Sequence, residues 1–335
     1  MAAVSERLPV TDRRVVGLGF LAVLALAVVP FVTTSYVTSL VMTGLIFVML
    51  GVSWNLLAGY AGQISLGHAA FFGLGAYVCA WLTSPSSAGL PASLAMFPVV
   101  SLVVGGLAAA LVALVIGPAM FRLRGHYFAI GTLALAAIIQ LVLTDQRALS
   151  GGSTGYYLST DLGEVTLYLL ALLATVLVVV GTYYVVESRL GLAMRSIHDD
   201  EVAASGLGVG PLKYKMWAFV VSSFFAGLAG GAYALNMLYI NPTSTLGVSW
   251  TIDTLVIVIL GGMGTMAGPL VGAVLFMLLD NVLSVVVGSL ATTVEGVLII
   301  LFVIFLPNGL WGYYQALRAG ETEEGSRLDL RFWNS

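Results

Sequence analysis

Eight stretches of this 335-residue sequence are long and apolar enough to cross a bilayer as helices: 15–33, 36–58, 95–117, 127–144, 166–186, 216–238, 266–288 and 291–307. A hydrocarbon core takes roughly 20 residues of helix to span. Lipid offers no hydrogen bonds, so spanning backbone must satisfy its own N–H and C=O groups, which a helix does. Two further apolar stretches, 60–82 and 250–264, are interrupted by glycine and polar residues. The expected fold is an all-α polytopic membrane protein of about ten transmembrane helices. The range is eight to ten, because both interrupted stretches could re-enter rather than cross.

The charge content agrees. Only 9% of residues are charged, where a soluble domain carries about 25%. A formal net charge of −3 excludes a basic nucleic-acid-binding face, and 59% hydrophobic residues exclude a disordered chain. Cys79 is the one cysteine, so neither an intrachain disulfide nor a thiolate metal site is expected. The histidines His68, His126 and His198 show no metal-ligand spacing. Ser65 has no visible base and acid partners for covalent catalysis. The two lysines, Lys213 and Lys215, lie outside any G-x-x-x-x-G-K-[ST] loop. Active transport would therefore draw its energy from an ion gradient or from another subunit.

The basic residues orient the chain. With the N-terminus in the cytoplasm, 12 of the 13 Lys and Arg residues fall on the inner side. Only Arg147 falls outside, in a loop that also holds Asp145, Asp161 and Glu164. This gives a cytoplasmic N-terminal segment at 1–14, a transmembrane domain at 15–307 with a cytoplasmic loop at 187–215, and a cytoplasmic tail at 308–335. The first apolar run is too long for the core of a signal peptide, and no small-residue cleavage site follows Pro30, so it is expected to stay as a span.

Three segments stand out. The first is Gly59-Tyr60-Ala61-Gly62-Gln63-Ile64-Ser65-Leu66-Gly67-His68, continuing through Gly73 and Gly75. Its glycines suit close helix packing. Gln63, Ser65 and His68 among them suit a broken helix whose freed N–H groups face a polar solute. The two readings stand level. The second segment, Gly261-Gly262-Met263-Gly264-Thr265-Met266-Ala267-Gly268-Pro269, is equally interrupted, and Asp253 precedes Gly264 by eleven residues. Paired interrupted segments in the two halves suggest an internal repeat with a pathway between its parts. The translocation candidates are therefore Gly62, Gln63, Ser65, Gly67, His68, Asp253, Gly262 and Gly264.

The third segment is the inner loop. Met194, Ile197, Ala204 and Leu207 fall near one face of a helix across 193–207, Arg195 and Asp199 form an i, i+4 pair, and Gly206 and Gly208 end the helix. Asp199, Asp200 and Glu201 oppose an anionic lipid surface, which favours docking to a cytoplasmic protein. Among the other intramembrane acids, Glu295 reads as a capping box with Thr292. Asp280, beside Asn281, is expected to face other helices.

The stretch from Gly59 to Phe71 resembles the signature of permease subunits in the branched-chain amino acid ABC importer family. So do Gly151-Gly152-Ser153-Thr154-Gly155, the loop from Ser188 through Lys215 into Val220, Ala226-Gly227-Leu228-Ala229-Gly230, and Gly261-Gly262-Met263-Gly264-Thr265 with Gly268-Pro269. The length and the extended loop look like the second of the two paired permeases (the LivM-type subunit). Glu201, Ala203, Ala204 and Gly208 resemble the importer coupling motif, with Val202 as one extra residue. The family often carries a basic residue where this chain has Leu192, and Arg where it has His198. The resemblance implies ATPase coupling through Arg195, Asp199, Asp200, Glu201, Ala203, Ala204 and Gly208. It implies a second related permease, two cytoplasmic ABC ATPases that bind ATP and Mg, and an extracytoplasmic solute-binding protein. It implies no cofactor or enzymatic activity in this chain, and a place in the bacterial inner membrane. The expected solutes are branched-chain or related amino acids. The alternatives are a permease for urea or short amides, and a proton-coupled secondary transporter using Asp253, Asp280 or Glu295.

Overall fold

A computed structural model describes residues 13–305 and 309–319. In chain order the helices are α1 (Arg13–Val32), α2 (Ser35–Asn55), α3 (His68–Thr83), α4 (Pro98–Met120), α5 (His126–Asp145) and α6 (Arg147–Ser150). They continue with α7 (Glu164–Glu187), α8 (Arg189–Asp199), α9 (Glu201–Gly206), α10 (Pro211–Met237) and α11 (Pro242–Thr245). The last are α12 (Ser249–Gly261), α13 (Gly268–Val287), α14 (Ala291–Phe305) and α15 (Gly309–Ala319). Two short strands, β1 (Tyr156–Tyr157) and β2 (Tyr239–Ile240), pair antiparallel.

Among the described residues, seven helical stretches are long and apolar enough to cross a membrane: Ser35–Tyr60, Pro98–Met120, His126–Asp145, Glu164–Glu187, Pro211–Met237, Pro242–Gly261 and Gly268–Val287. Gly17–Val32 and His68–Thr83 are shorter apolar helices. The chain is thus an all-α, multi-pass membrane protein, and each apolar stretch read from the sequence contains a helix. α10 starts earlier than expected because Pro211 sits in its first turn, where the missing N–H costs nothing.

The chain forms two compact units that divide between Leu255 and Val256. In the first, α10 packs against α2, α3 and α4, and α2 packs against α7. Hydrophobic burial does not drive association between helices in lipid, so close backbone approach through small residues does. At the α3–α4–α10 junction a Cβ on Gly75 would overlap the Gly227 backbone, and one on Gly227 would lie 2.9 Å from the Gly106 Cα. A Cβ on Gly230 would overlap the Phe72 carbonyl. Much of the glycine in α3, α4 and α10 is therefore packing glycine. Aromatic rings fill a neighbouring layer: Phe71 meets Phe219 edge-on at 5.2 Å, and Phe121 stacks on Phe128 at 5.1 Å. Tyr156 and Ile240 of the paired strands share a buried cluster with Tyr77, Ala80, Ala234 and Leu246.

The second unit holds the end of α12 with α13, α14 and α15. A Cβ on Gly272 would overlap the Ile257 carbonyl, so α12 and α13 run in close contact. α14 begins at Ala291, which places Thr292 inside the helix rather than at its cap and removes the backbone basis for the expected capping box. The Glu295 side chain lies outside what is described. Asp280 is exposed rather than enclosed by neighbouring helices, and Asn281 Nδ2 donates back to the Met277 carbonyl of its own helix at 3.0 Å.

Candidate translocation and coupling sites

α2 widens into a π-helical turn at Leu56–Tyr60, and residues 61–67 then leave the helix altogether before α3 begins. Single π turns interrupt the regular ladder and often mark functional positions. Gly62 takes φ +66°, a left-handed conformation that side-chain-bearing residues rarely adopt. The Gln63 N–H skips the regular acceptor and donates to Leu57 O at 3.0 Å.

Side chains both near and distant in sequence hold the rest of the break and the start of α3. Trp54 Nε1 donates to Ser65 O at 2.8 Å, and Leu66 N donates to Thr132 Oγ1 at 3.0 Å. Gly67 N donates to Ser65 Oγ at 3.3 Å, and Ala69 N to Thr251 Oγ1 at 3.1 Å. Thus Gln63, Leu66 and Gly67 direct their N–H groups at protein acceptors, not at a solute. Ser65 and His68 are fully buried, whereas Gln63 is partly exposed and Ile64 is exposed. His68 Nε2 lies 2.8 Å from Ser222 Oγ, which itself donates to Ser53 O at 2.8 Å. Because that hydroxyl hydrogen is used on Ser53, Nε2 carries the proton toward Ser222.

The glycines of this segment divide by role. Gly62 is conformational. A Cβ on Gly67 would overlap the Thr132 carbonyl, and one on Gly73 would overlap the Leu246 side chain. Gly73 and Gly75 lie inside α3, so packing explains them and the break does not reach them.

The loop after α7 corrects the expected single helix across 193–207. Asp200 takes φ −156°, and its Oδ1 accepts from Val202 N at 2.8 Å and Ala203 N at 2.9 Å. That carboxylate is an N-cap, so the chain stops one helix at Asp199 and starts another at Glu201. The change of direction buries Met194, Ile197 and Ala204 but leaves Leu207 85% exposed. Arg195 does not pair with Asp199. Its Nη2 lies 3.7 Å from Glu187 Oε1, and its guanidinium sits 5.4 Å from the centre of the Tyr60 ring. Glu201 Oε2 accepts from Lys215 Nζ at 2.7 Å, pinning α9 to the start of α10. Asp199, Ala203 and Gly208 are exposed, and Gly208 has φ +86° just past the end of α9.

The second interrupted segment is a turn between α12 and α13, with Gly262 at φ +119° and Gly264 at φ +79°. Gly262 N donates to Val258 O at 2.9 Å, and Thr265 Oγ1 donates to Gly262 O at 2.8 Å. Thr265 Oγ1 also accepts from Gly268 N at 3.0 Å. Asp253 is half-buried on α12.

Residues 36–306 match the family described as branched-chain amino acid transport system / permease component. The chain belongs to that family. The match starts in α2 and runs into the last residues of the α14 region, so it takes in the break, the loop and the second turn of the permease. One relative is the high-affinity branched-chain amino acid transport system permease protein LivM of Escherichia coli, 29% identical over 321 residues, which cover 86% of this chain and 73% of that protein. The probable branched-chain amino acid transport permease protein LivM of Methanocaldococcus jannaschii is 23% identical over 312 residues, covering 79% and 90%. The ribose import permease protein RbsC of Haemophilus influenzae is 27% identical over 192 residues, covering 53% and 58%. No solved structure matches the chain.

Sequence reasoning missed Trp54, Thr132, Ser222 and Thr251, which hold the permease's break together. Their only signal was a polar atom inside a span, where a hydroxyl or indole N–H must find a partner.

Proposed function

We propose that this permease is the membrane subunit of an ATP-driven importer that moves branched-chain or related amino acids into the cytoplasm. The observation that carries this reading is the similarity to LivM along 86% of the chain. In this reading a second related permease completes the passage. Two cytoplasmic ATPases supply the energy, and an extracytoplasmic binding protein delivers the solute. The chain sits in the bacterial inner membrane with both ends inside. The loop carrying α8 and α9 docks the ATPases. Its outward side chains support that role: Leu192 and Val202 are 70% and 82% exposed beside Asp199, Asp200 and Glu201. Exposed apolar side chains rimmed by charge mark an interaction surface. Gly62 and Gln63 of the break, with Asp253, Gly262 and Gly264, are the proposed contributors to the passage. A sugar is the second reading for the solute, because RbsC aligns over 53% of the chain.

The test is co-purification with the neighbouring subunits, then uptake of labelled leucine, glutamate, urea and ribose in competition. Leucine is expected to be taken up and to be displaced by related amino acids. Ribose uptake without leucine uptake would reverse the solute assignment. Glu201→Lys should cut ATP-dependent uptake at least tenfold while the chain stays in the membrane. If adding Lys215→Glu restores uptake fully, the role of Glu201 is the internal pair with Lys215 rather than docking.

A further inference from the structure

We propose that His198 is a positioning residue that ties α8 to the backbone break ahead of α3, so that movement of the loop reaches the break through the His198–Gly59 hydrogen bond. The proposal rests on the reading of this loop as the ATPase-docking element.

The π turn makes the need. In a regular helix the Gly59 carbonyl would accept from the N–H of Gln63, but that N–H goes to Leu57 O. His198 Nδ1 lies 2.9 Å from Gly59 O. A carbonyl can only accept, so Nδ1 carries the hydrogen and donates it. The imidazole also lies close against the break. A Cβ on Gly62 would come within 3.3 Å of both Cγ and Cδ2 of His198, and Gly62 already stands at φ +66°. The conformation at Gly62 and the ring at His198 therefore fix each other.

A second contact from the same helix reaches the same turn. Arg195, three residues before His198 and on the same face, places its guanidinium over Tyr60. Met194 and Ile197 are buried on the inner side of α8. The ends of the loop are fixed as well. Ser188 Oγ caps α8 by accepting from Leu190 N at 3.1 Å, and Glu201 joins α9 to Lys215. A force applied to the exposed side of this loop is thus delivered to Gly59, Tyr60 and Gly62, where the backbone has no regular ladder to resist it. The outer edge of His198 is itself exposed.

The experiment uses the full complex reconstituted in vesicles and reads solute taken up per ATP hydrolysed. His198→Phe keeps a ring against Gly62 but removes the donor. His198→Asn restores an N–H donor close to the Nδ1 position. Loss of one neutral hydrogen bond predicts a fall of about three- to tenfold for Phe. Asn is expected to stay within about twofold of wild type, with equal assembly of both variants by size-exclusion chromatography. If the Phe variant does not assemble, His198→Gln takes its place, since the longer amide carries its nitrogen past the Nδ1 position. Hydrogen exchange gives an independent readout: ATP-dependent change should reach residues 56–67 in wild type and Asn but stop at α8 in Phe or Gln. Equal uptake per ATP in wild type and Phe, or in Phe and Asn, overturns the assignment. A wild-type complex that hydrolyses ATP and moves none of the labelled solutes overturns the importer reading on which it rests.

Discussion

The permease contains two glycine-rich interruptions that look alike in sequence and are built differently. Residues 61–67 and the turns that flank them are tied to distant helices: Thr132 of α5 takes Leu66 N within the break, His198 of α8 bonds Gly59 O before it, and Ser222 of α10 and Thr251 of α12 bond His68 and Ala69 after it. The turn from Gly262 to Ala267 has local bonds through Val258, Thr265 and Gly268, and Gly309 of α15 packs against it, where a Cβ would lie 2.5 Å from Gly262 N. A break whose freed backbone groups answer to several other helices changes when any of those helices moves. A turn whose side-chain bonds come from its own Thr265 is closer to a corner. The difference lies in who satisfies the interrupted ladder, since every backbone group in lipid must be satisfied by something.

The largest way to test this contrast is steric. Gly67→Leu drives a branched side chain into the Thr132 carbonyl, from which even a Cβ has no clearance. Overpacking of this kind typically costs 1–3 kcal/mol, and at a backbone contact about 3 or more. We expect loss of assembled permease, measured as the folded peak remaining after heating in detergent. A variant that assembles normally and only fails to transport would show that residues 61–67 are an open passage and not a packed joint. Gly264→Ala, at φ +79°, should cost about 1–2 kcal/mol from the left-handed backbone.

A smaller effect is expected at Gly62. Alanine there meets both the backbone penalty of φ +66° and the His198 ring at 3.3 Å. Gly62→Ala should assemble, yet lower uptake per ATP by about tenfold, because about 1–2 kcal/mol of strain falls on the contact between loop and break. Uptake at the wild-type level would remove Gly62 from the joint.

The fold class was legible because the spans are long and nearly free of charge, and lipid leaves helices as the only simple answer. The break was legible as a region, since Gln63, Ser65 and His68 among glycines are out of place in an ordinary span. The roles inside it were not. Gly62, Gly67 and Gly73 are identical letters that serve a turn, a carbonyl contact and a leucine contact, and only the neighbours distinguish them. The split of the loop at Asp200 escaped for a related reason. A continuous helical period runs through 194–207, and whether an aspartate caps a new helix or rides on an old one depends on its backbone. The Arg195–Asp199 pair failed because Glu187 and Tyr60, brought close by the fold, offered Arg195 a better seat.

The finest test compares two threonines that make matched bonds. Thr132 Oγ1 donates to Ala129 O at 2.8 Å and accepts from Leu66 N at 3.0 Å. Thr265 Oγ1 donates to Gly262 O at 2.8 Å and accepts from Gly268 N at 3.0 Å. Valine keeps the shape and removes both bonds, so Thr132→Val and Thr265→Val should each cost about 1–2 kcal/mol of stability. Stability alone therefore does not separate the two breaks. Uptake per ATP should, because the N–H released by Thr132→Val belongs to a residue 66 positions away on the break, whereas that released by Thr265→Val is three positions away on the same turn. A fall of about threefold in the first and none in the second is expected. Equal falls would mean that both interruptions take part in the transport cycle, and the distinction drawn from their wiring would then concern stability only.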